Sequence, residues 1–337
     1  MVFRVFLASV AILSTLTLSS LTAPAQRGAP GLGAGNAAGR GVFSPDTGTV
    51  IPTQPPALTD LDTVLLNVSV TGPGNNSVKG IALDRFHVFE DGEEQKLTYF
   101  WEDSRPITVG FIFDDSARME TNDKVNVLQE AAHSFLRNKD PRDEFFVVRM
   151  GDLPDVVASF TTDVKNLPLR YPTIGETALY DAVYVGLAVI KEAANPRKLL
   201  VVITSGGDRC CSDNNKRTTD AMLKSFALKQ NVEVYSLFVS DEISDADSEM
   251  VHRDANVLGD LAMMTGGRMH SVPNAPRAVE ALMAEVARGL KTQYLLGFKS
   301  PRLPDGKRRG LKVKVDSSAD SPKLNAWTKA GYYARQR

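Results

Sequence analysis

The spacing of apolar residues changes its rhythm twice along the chain. Residues 62–70, DTVLLNVSV, alternate apolar and polar side chains as a half-buried strand does. FHVFEDGEEQKLTYFW (86–101) reads as a hairpin turning at Asp91-Gly92. From residue 107 the apolar runs become continuous: ITVGFIF (107–113), EFFVVRM (144–150), KLLVVIT (198–204) and NVEVYSLFV (231–239). Runs of this kind suit strands covered on both faces of a parallel sheet. VVASF (156–160) and RMHSV (268–272) are shorter strand candidates.

The segments between these runs carry helical spacing. Val127, Leu128, Ala131, Phe135 and Leu136 share one stripe of a helix over 123–138, and Leu179, Val183, Leu187 and Ile190 share one over 178–194. Further helices are expected at 218–230, at 255–266, where Gly266-Gly267 stops the pattern, and at 276–290. After residue 290 the β rhythm returns in QYLLGFK (293–299), a turn at Pro304-Asp305-Gly306, LKVKVD (311–316) and AGYYA (330–334).

Strands alternating with helices over 105–290 predict an α/β fold with a doubly wound, mostly parallel open sheet. The flanking segments, 58–104 and 291–337, are expected to pair into a small β side domain. No internal repeat is present.

The N-terminus modifies this picture. MVFR is followed by the apolar run VFLASVAILSTLTLSSL and then TAPAQ, with Ala23 and Ala25 small at the positions that flank a cleavage site. Residues 1–25 are expected to be a secretory signal peptide cut after Ala25, with an uncleaved anchor as the competing reading. No cysteine lies near enough for a lipid anchor. The mature chain is then exported, to the periplasm or the extracellular space, and has no membrane span. Residues 26–57, rich in Gly, Ala and Pro, are expected to be a flexible linker. Their Gly33-x-Gly35-x-x-Ala38 lacks a preceding strand, so it is not a dinucleotide fingerprint.

A net charge of −1 with both signs interspersed points away from nucleic acid as a partner. The basic cluster Lys307, Arg308, Arg309, Lys312 and Lys314 reads as a protected hairpin edge. His87, His133, His252 and His270 are scattered, and there is neither a P-loop nor a G-x-S-x-G elbow.

In doubly wound sheets ligands gather beyond the carboxyl ends of the strands. The three segments expected there are Asp114-Asp115-Ser116-Ala117-Arg118, Gly175-Glu176-Thr177-Ala178-Leu179-Tyr180-Asp181-Ala182 and Ser205-Gly206-Gly207-Asp208. Together they resemble the von Willebrand factor type A (VWA) domain, and in particular the VWFA-related family of secreted acidobacterial proteins. That family ends one strand in D-x-S-x-S, opens a helix with G-x-T-x-L-x-D-A and ends a later strand in [ST]-D-G. FHVFEDGEEQKLTYF, QYLLGFKSP and AGYYA resemble its flanking β segments, so the likeness spans roughly residues 60–335.

The resemblance implies a metal-ion-dependent adhesion site holding Mg2+ or Mn2+ on hydroxyl and carboxylate oxygens. Asp114, Ser116 and Thr177 match its ligands. Arg118 stands in place of the second serine and Ser205 in place of the later aspartate, so the site is degenerate. Arg118 would repel a cation or replace it by pairing with Asp114, while Asp115 and Asp208 are candidate compensating carboxylates. The implied function is a non-enzymatic binding module that contacts a protein or surface polymer through Asp115, Arg118, Ser205, Asp208 and Arg209. A metal-free envelope scaffold is the alternative. A hydrolase or redox protein resting on Ser205 or the cysteines is a third reading.

Cys210 and Cys211 are the only cysteines. A vicinal disulfide, two thiols and pairing with another chain all remain open. Zinc is not expected, since no further ligand lies nearby in sequence.

Overall fold

The computed structural model describes residues 63–336 apart from 118, 121–123, 170–174, 211–217, 241–244 and 318–322, together with two short strands further upstream. The expected signal peptide lies outside the described residues. Within the expected linker, strands β1 (Val42–Ser44) and β2 (Thr49–Ile51) form an antiparallel ladder.

The continuous apolar runs form one six-stranded sheet. It contains β7 (Ile107–Phe113), β8 (Glu144–Arg149), β9 (Asp155–Thr161), β10 (Arg197–Thr204), β11 (Glu233–Ser240) and β12 (Met269–Pro273), in the order β12-β11-β10-β7-β8-β9. All neighbours pair in parallel except β9, which runs antiparallel along one edge.

The alternation inside each run decides which helices it meets. Val109, Phe111 and Phe113 of β7, with Phe145, Val147, Leu199, Val201 and Ile203, pack on α1 (Lys124–Leu136) and α5 (Pro276–Leu290). Ile112, Phe146, Val148, Leu200 and Val202 face the other way, onto α2 (Leu179–Ile190), α3 (Asp220–Lys229) and α4 (Asp245–Thr265). Both faces are therefore covered, which is why these strands carry so few polar residues.

The chain moves outward from β7 to β8 and β9, then returns through α2 to β10 on the opposite side of β7. The winding direction reverses between β7 and β10, and this crevice is where a doubly wound sheet binds ligands.

The flanking segments build two four-stranded sheets around a separate core. One contains β15 (Asn325–Trp327), β3 (Thr63–Thr71), β13 (Gln293–Lys299) and β6 (Leu97–Asp103), and the other β16 (Gly331–Tyr333), β14 (Arg308–Val315), β4 (Phe86–Glu90) and β5 (Glu93–Gln95), each in that order. Leu66, Val68, Phe100, Tyr294 and Leu296 from the first sheet meet Phe86, Val88, Leu311 and Val313 from the second. The expected hairpin at Asp91-Gly92 is present, with Glu90 opposite Glu93. After Gln95, however, the chain crosses to the other sheet, so LTYFW pairs with β13 instead.

A buried polar network joins this sandwich to the amino ends of the parallel strands. Glu233, which opens β11, accepts from Asn67 Nδ2 at 3.0 Å and Gln293 Nε2 at 2.8 Å. Arg197, which opens β10, donates to Gln293 Oε1 at 2.7 Å and to the Arg105 carbonyl at 3.2 Å, with Asp103 at 3.5 Å from its Nε. Asp103 also holds Arg105 through two hydrogen bonds, at 2.9 and 2.7 Å. Burial raises the Glu233 carboxyl above its ordinary range, opposed by Arg197 and by the Gln293 and Asn67 amides.

Two further elements depart from expectation. α4 starts at Asp245, ten residues before the apolar spacing announces it, because its first turns are polar. β15 is unannounced, being three residues long and held by Ala326 opposite Val70. Among the described residues no helix is long and apolar enough to cross a membrane.

Candidate functional site

The three loops meet at the β7–β10 crevice. β7 and β10 lie side by side, so their carboxyl ends deliver Asp114 and Ser205 to adjacent positions. The Asp114 backbone N–H donates to the Ile203 carbonyl at 3.1 Å, continuing the ladder one step beyond β7. Its carboxylate accepts from Thr204 Oγ1 at 2.8 Å, from the Ser205 N–H at 3.3 Å and from the Ser116 N–H at 3.1 Å.

The α2 loop is tied in by backbone hydrogen bonds. Ala117 N–H donates to the Gly175 carbonyl at 3.2 Å and Ala178 N–H to the Gly151 carbonyl at 3.0 Å. The Thr177 carbonyl accepts from both the Arg209 and Cys210 N–H groups, each at 2.9 Å. Asp152 closes the rim, its Oδ1 accepting from Glu176 N–H at 2.6 Å and its carbonyl from Cys210 Sγ at 3.1 Å. Gly175 has φ of +74°, and a Cβ there would lie 2.4 Å from Asp152 Oδ2, so only glycine permits this closure.

Besides Asp115 Oδ2, which lies 3.3 Å from Arg149 Nε, three side-chain oxygens in these loops are buried without a hydrogen-bond partner: Ser116 Oγ, Thr177 Oγ1 and Ser205 Oγ. Their residues are 1%, 0% and 5% exposed, and Asp114 is 3% exposed. An unpaired buried hydroxyl costs on the order of 1–3 kcal/mol, so three in loops tied together at one crevice form an unusual concentration. Other buried polar atoms lack partners too, such as Tyr99 Oη, Ser236 Oγ and His270 Nε2, but none of these three lies in the loops around Asp114.

The donor set fits a hard divalent cation. One carboxylate and three hydroxyl oxygens are the oxygen ligands that Mg2+ and Mn2+ prefer. Ser205, which replaces the expected aspartate, still offers an oxygen at that position. Among the described residues no three His, Cys, Asp or Glu side chains cluster as a metal site, so any cation here depends on the hydroxyls.

The other predicted residues divide into inward and unassigned positions. Asp115, Ser205 and Asp208, expected on a partner-facing surface, are only 4–5% exposed. For Asp115 the cause is a backbone N–H that needs an acceptor there. Asp115 Oδ1 accepts from Gly151 N–H at 2.6 Å, and its carboxylate lies 3.3 Å from Arg149 Nε. Burial raises the Asp115 carboxyl, opposed by Gly151 N–H and Arg149. Asp208 donates its backbone N–H to Asp254 Oδ2 at 2.7 Å. Arg209 is half-buried and Cys210 buried. Arg118 and Cys211 lie outside the described residues, and with them the Arg118–Asp114 pairing and the vicinal disulfide.

No family model matches this chain, and no curated protein matches it. Among solved structures it is similar to the PilB minor pilin from Streptococcus sanguinis, at 11% identity and a TM-score of 0.42, over 56% of this chain and 62% of the pilin. It is also similar to a von Willebrand factor type A protein from Catenulispora acidiphila, at 12% identity and a TM-score of 0.46, over 80% of this chain and 73% of that one. A third is proximal thread matrix protein 1 from the mussel byssus, in a structure with a zinc-occupied MIDAS motif. There the identity is 13% and the TM-score 0.46, over 60% of this chain and 50% of the byssus protein. The chain thus spans less than two thirds of the pilin's length. The doubly wound α/β assignment rests on strand order and direction, independently of these overlaps.

Proposed function

We propose that this protein is an exported, non-enzymatic binding module of the VWA type, akin to the VWFA-related secreted proteins of acidobacteria. It engages a protein or surface polymer at the β7–β10 crevice through a divalent cation. The observation that carries this reading is the set of buried, unpartnered hydroxyls of Ser116, Thr177 and Ser205 in the loops that meet at the crevice with Asp114. These four residues would hold Mg2+ or Mn2+, and the cation offers a coordination position to a carboxylate of the partner. With a single carboxylate in the set, affinity for the cation alone is expected to be modest.

Hydrolysis is disfavoured by the same geometry. A serine nucleophile needs a base within hydrogen-bond reach, whereas Ser205 Oγ has no partner. The apolar segment and A-x-A site at residues 1–25 support export.

Calorimetric titration of the mature protein with Mg2+ and Mn2+ tests the proposal. Binding heat is expected from the wild type and none from Asp114→Ala. Absence of heat from the folded wild type would leave the metal-free scaffold.

A further inference from the structure

One buried carboxylate near the crevice belongs to none of the three loops. Asp254 lies in the middle of α4 and is 0% exposed. It accepts from Tyr180 Oη at 2.6 Å and from the Asp208 N–H at 2.7 Å, while Arg253 Nε approaches to 3.3 Å. Its first two donors come from the two loop regions that carry Thr177 and Ser205. Tyr180 occupies the first turn of α2, just after Thr177, and Asp208 ends the turn that begins at Ser205.

Packing alone does not ask for an acid at this position. Val251, Leu258 and Leu261 lie three, four and seven residues away on the same helix and are all buried and apolar. Position 254 therefore belongs to the stripe by which α4 packs against the sheet. A carboxylate in such a stripe costs several kcal/mol in desolvation unless charged or hydrogen-bonded partners compensate, and an apolar residue of similar size would often be at least as stable. As a mid-helix residue, Asp254 does not cap a helix end either. What it does is join α2 and the β10 loop through a third element.

We infer that Asp254 is a positioning residue of the cation site, fixing Ser205 and Thr177 relative to each other through Asp208 and Tyr180. The inference rests on the cation reading given above. Groups that orient metal ligands without touching the metal typically change affinity by about 10- to 100-fold when removed. Asp254 is well placed for that role, because moving either donor moves a loop that carries an unpartnered hydroxyl.

The test is Mn2+ titration calorimetry on the mature chain, paired with thermal unfolding, for the wild type, Asp254→Asn, Tyr180→Phe and Val257→Ala. Asp254→Asn is expected to weaken Mn2+ binding about tenfold, and Tyr180→Phe, which deletes one donor, by about threefold. Val257→Ala trims a buried side chain of the same helix. It should lower the unfolding temperature and leave affinity unchanged, which separates positioning from general stability. Folded Asp254→Asn and Tyr180→Phe with wild-type affinity would overturn the inference while leaving the cation site intact. If Asp254→Asn does not fold, Tyr180→Phe decides the matter by itself. A folded wild type that gives no Mn2+ heat overturns the cation reading and this inference together.

Discussion

The two ends of the parallel sheet treat buried polar groups in opposite ways. At the amino ends, Glu233, Arg197, Gln293, Asn67 and Asp103 bind one another across the junction with the sandwich, and the one nitrogen among them without a hydrogen bond, Arg197 Nε, faces the Asp103 carboxylate at 3.5 Å. At the carboxyl ends, Ser116, Thr177 and Ser205 keep their hydroxyls buried and unpartnered. A polar network that closes on itself locks two layers in place. A cluster left open at a switch point is what a ligand from outside can complete. Burial alone therefore says little about role; the state of the hydrogen bonds separates a joint from a site.

The sharpest way to break this contrast is at the joint. Glu233→Ala leaves the Asn67 and Gln293 amides short of their acceptor and removes the negative charge near Arg197, and losing one partner of a buried charge network typically costs about 3–5 kcal/mol. Chemical denaturation should show that loss, while the Mn2+ affinity of the folded variant stays at the wild-type value. A fall in affinity of the same size would mean that the two ends are not independent.

The opposite substitution adds charge at the site. Ser205→Asp supplies the second carboxylate that the resemblance implies at this position and is expected to tighten Mn2+ binding about tenfold, near 1.4 kcal/mol. In metal-free buffer the same variant should unfold more readily than the wild type, since the new charge lies beside Asp114. Thr177→Val then separates function from stability. Deleting a buried hydroxyl that has no partner should stabilise the metal-free protein by about 1–3 kcal/mol, yet Mn2+ affinity should fall several-fold.

The smallest effect belongs to a group at neither end. His270, in the edge strand β12, is lowered from 6.5 to about 4 by burial, with Arg268 adding to the shift. A depressed folded-state value means that its stabilising contribution is fully present above pH 6.5. That contribution is lost as pH falls from there through about 4, because the unfolded chain takes up the proton first. Denaturation midpoints at pH 7 and pH 5 should therefore differ less in His270→Phe than in the wild type. Equal differences would remove His270 from the acid limb.

Parts of this organisation were legible in the residues themselves. Continuous runs such as LLVVIT and ITVGFIF end abruptly in small polar turns, which announces both the buried strands and the loops they deliver. The site's inward cast was not legible. Asp115, Ser205 and Asp208 are polar residues in loops, and residue type cannot show that the Gly151 N–H will hold the Asp115 carboxylate inside or that Asp254 will hold the Asp208 backbone there. Asp254 was hidden for a related reason. It interrupts the apolar spacing of α4, and the ten residues before the expected helix start are mostly polar, so the turns that carry it did not register as helix. The joint escaped because Arg197 reads as an ordinary charge flanking a strand and Glu233 as a polar position within one, and their partners Asn67 and Gln293 are distant in sequence.

The strand order of the sandwich has a consequence for how the molecule comes together. In one sheet β13 lies between β3 and β6, and in the other β14 lies between β16 and β4. Tyr294 thus sits opposite Val68, its neighbour across more than two hundred residues of intervening chain. Contacts of such long range form late, because the loop they close must be ordered first. The α/β layer can assemble from neighbouring segments while β3 and β4 wait, and the last strands act as a clasp. A polypeptide stopped after Leu290 would keep every strand of the parallel sheet yet leave β3 and β6 with nothing between them. Refolding should accordingly show burial of Tyr294 trailing that of the parallel sheet, so that the clasp closes last.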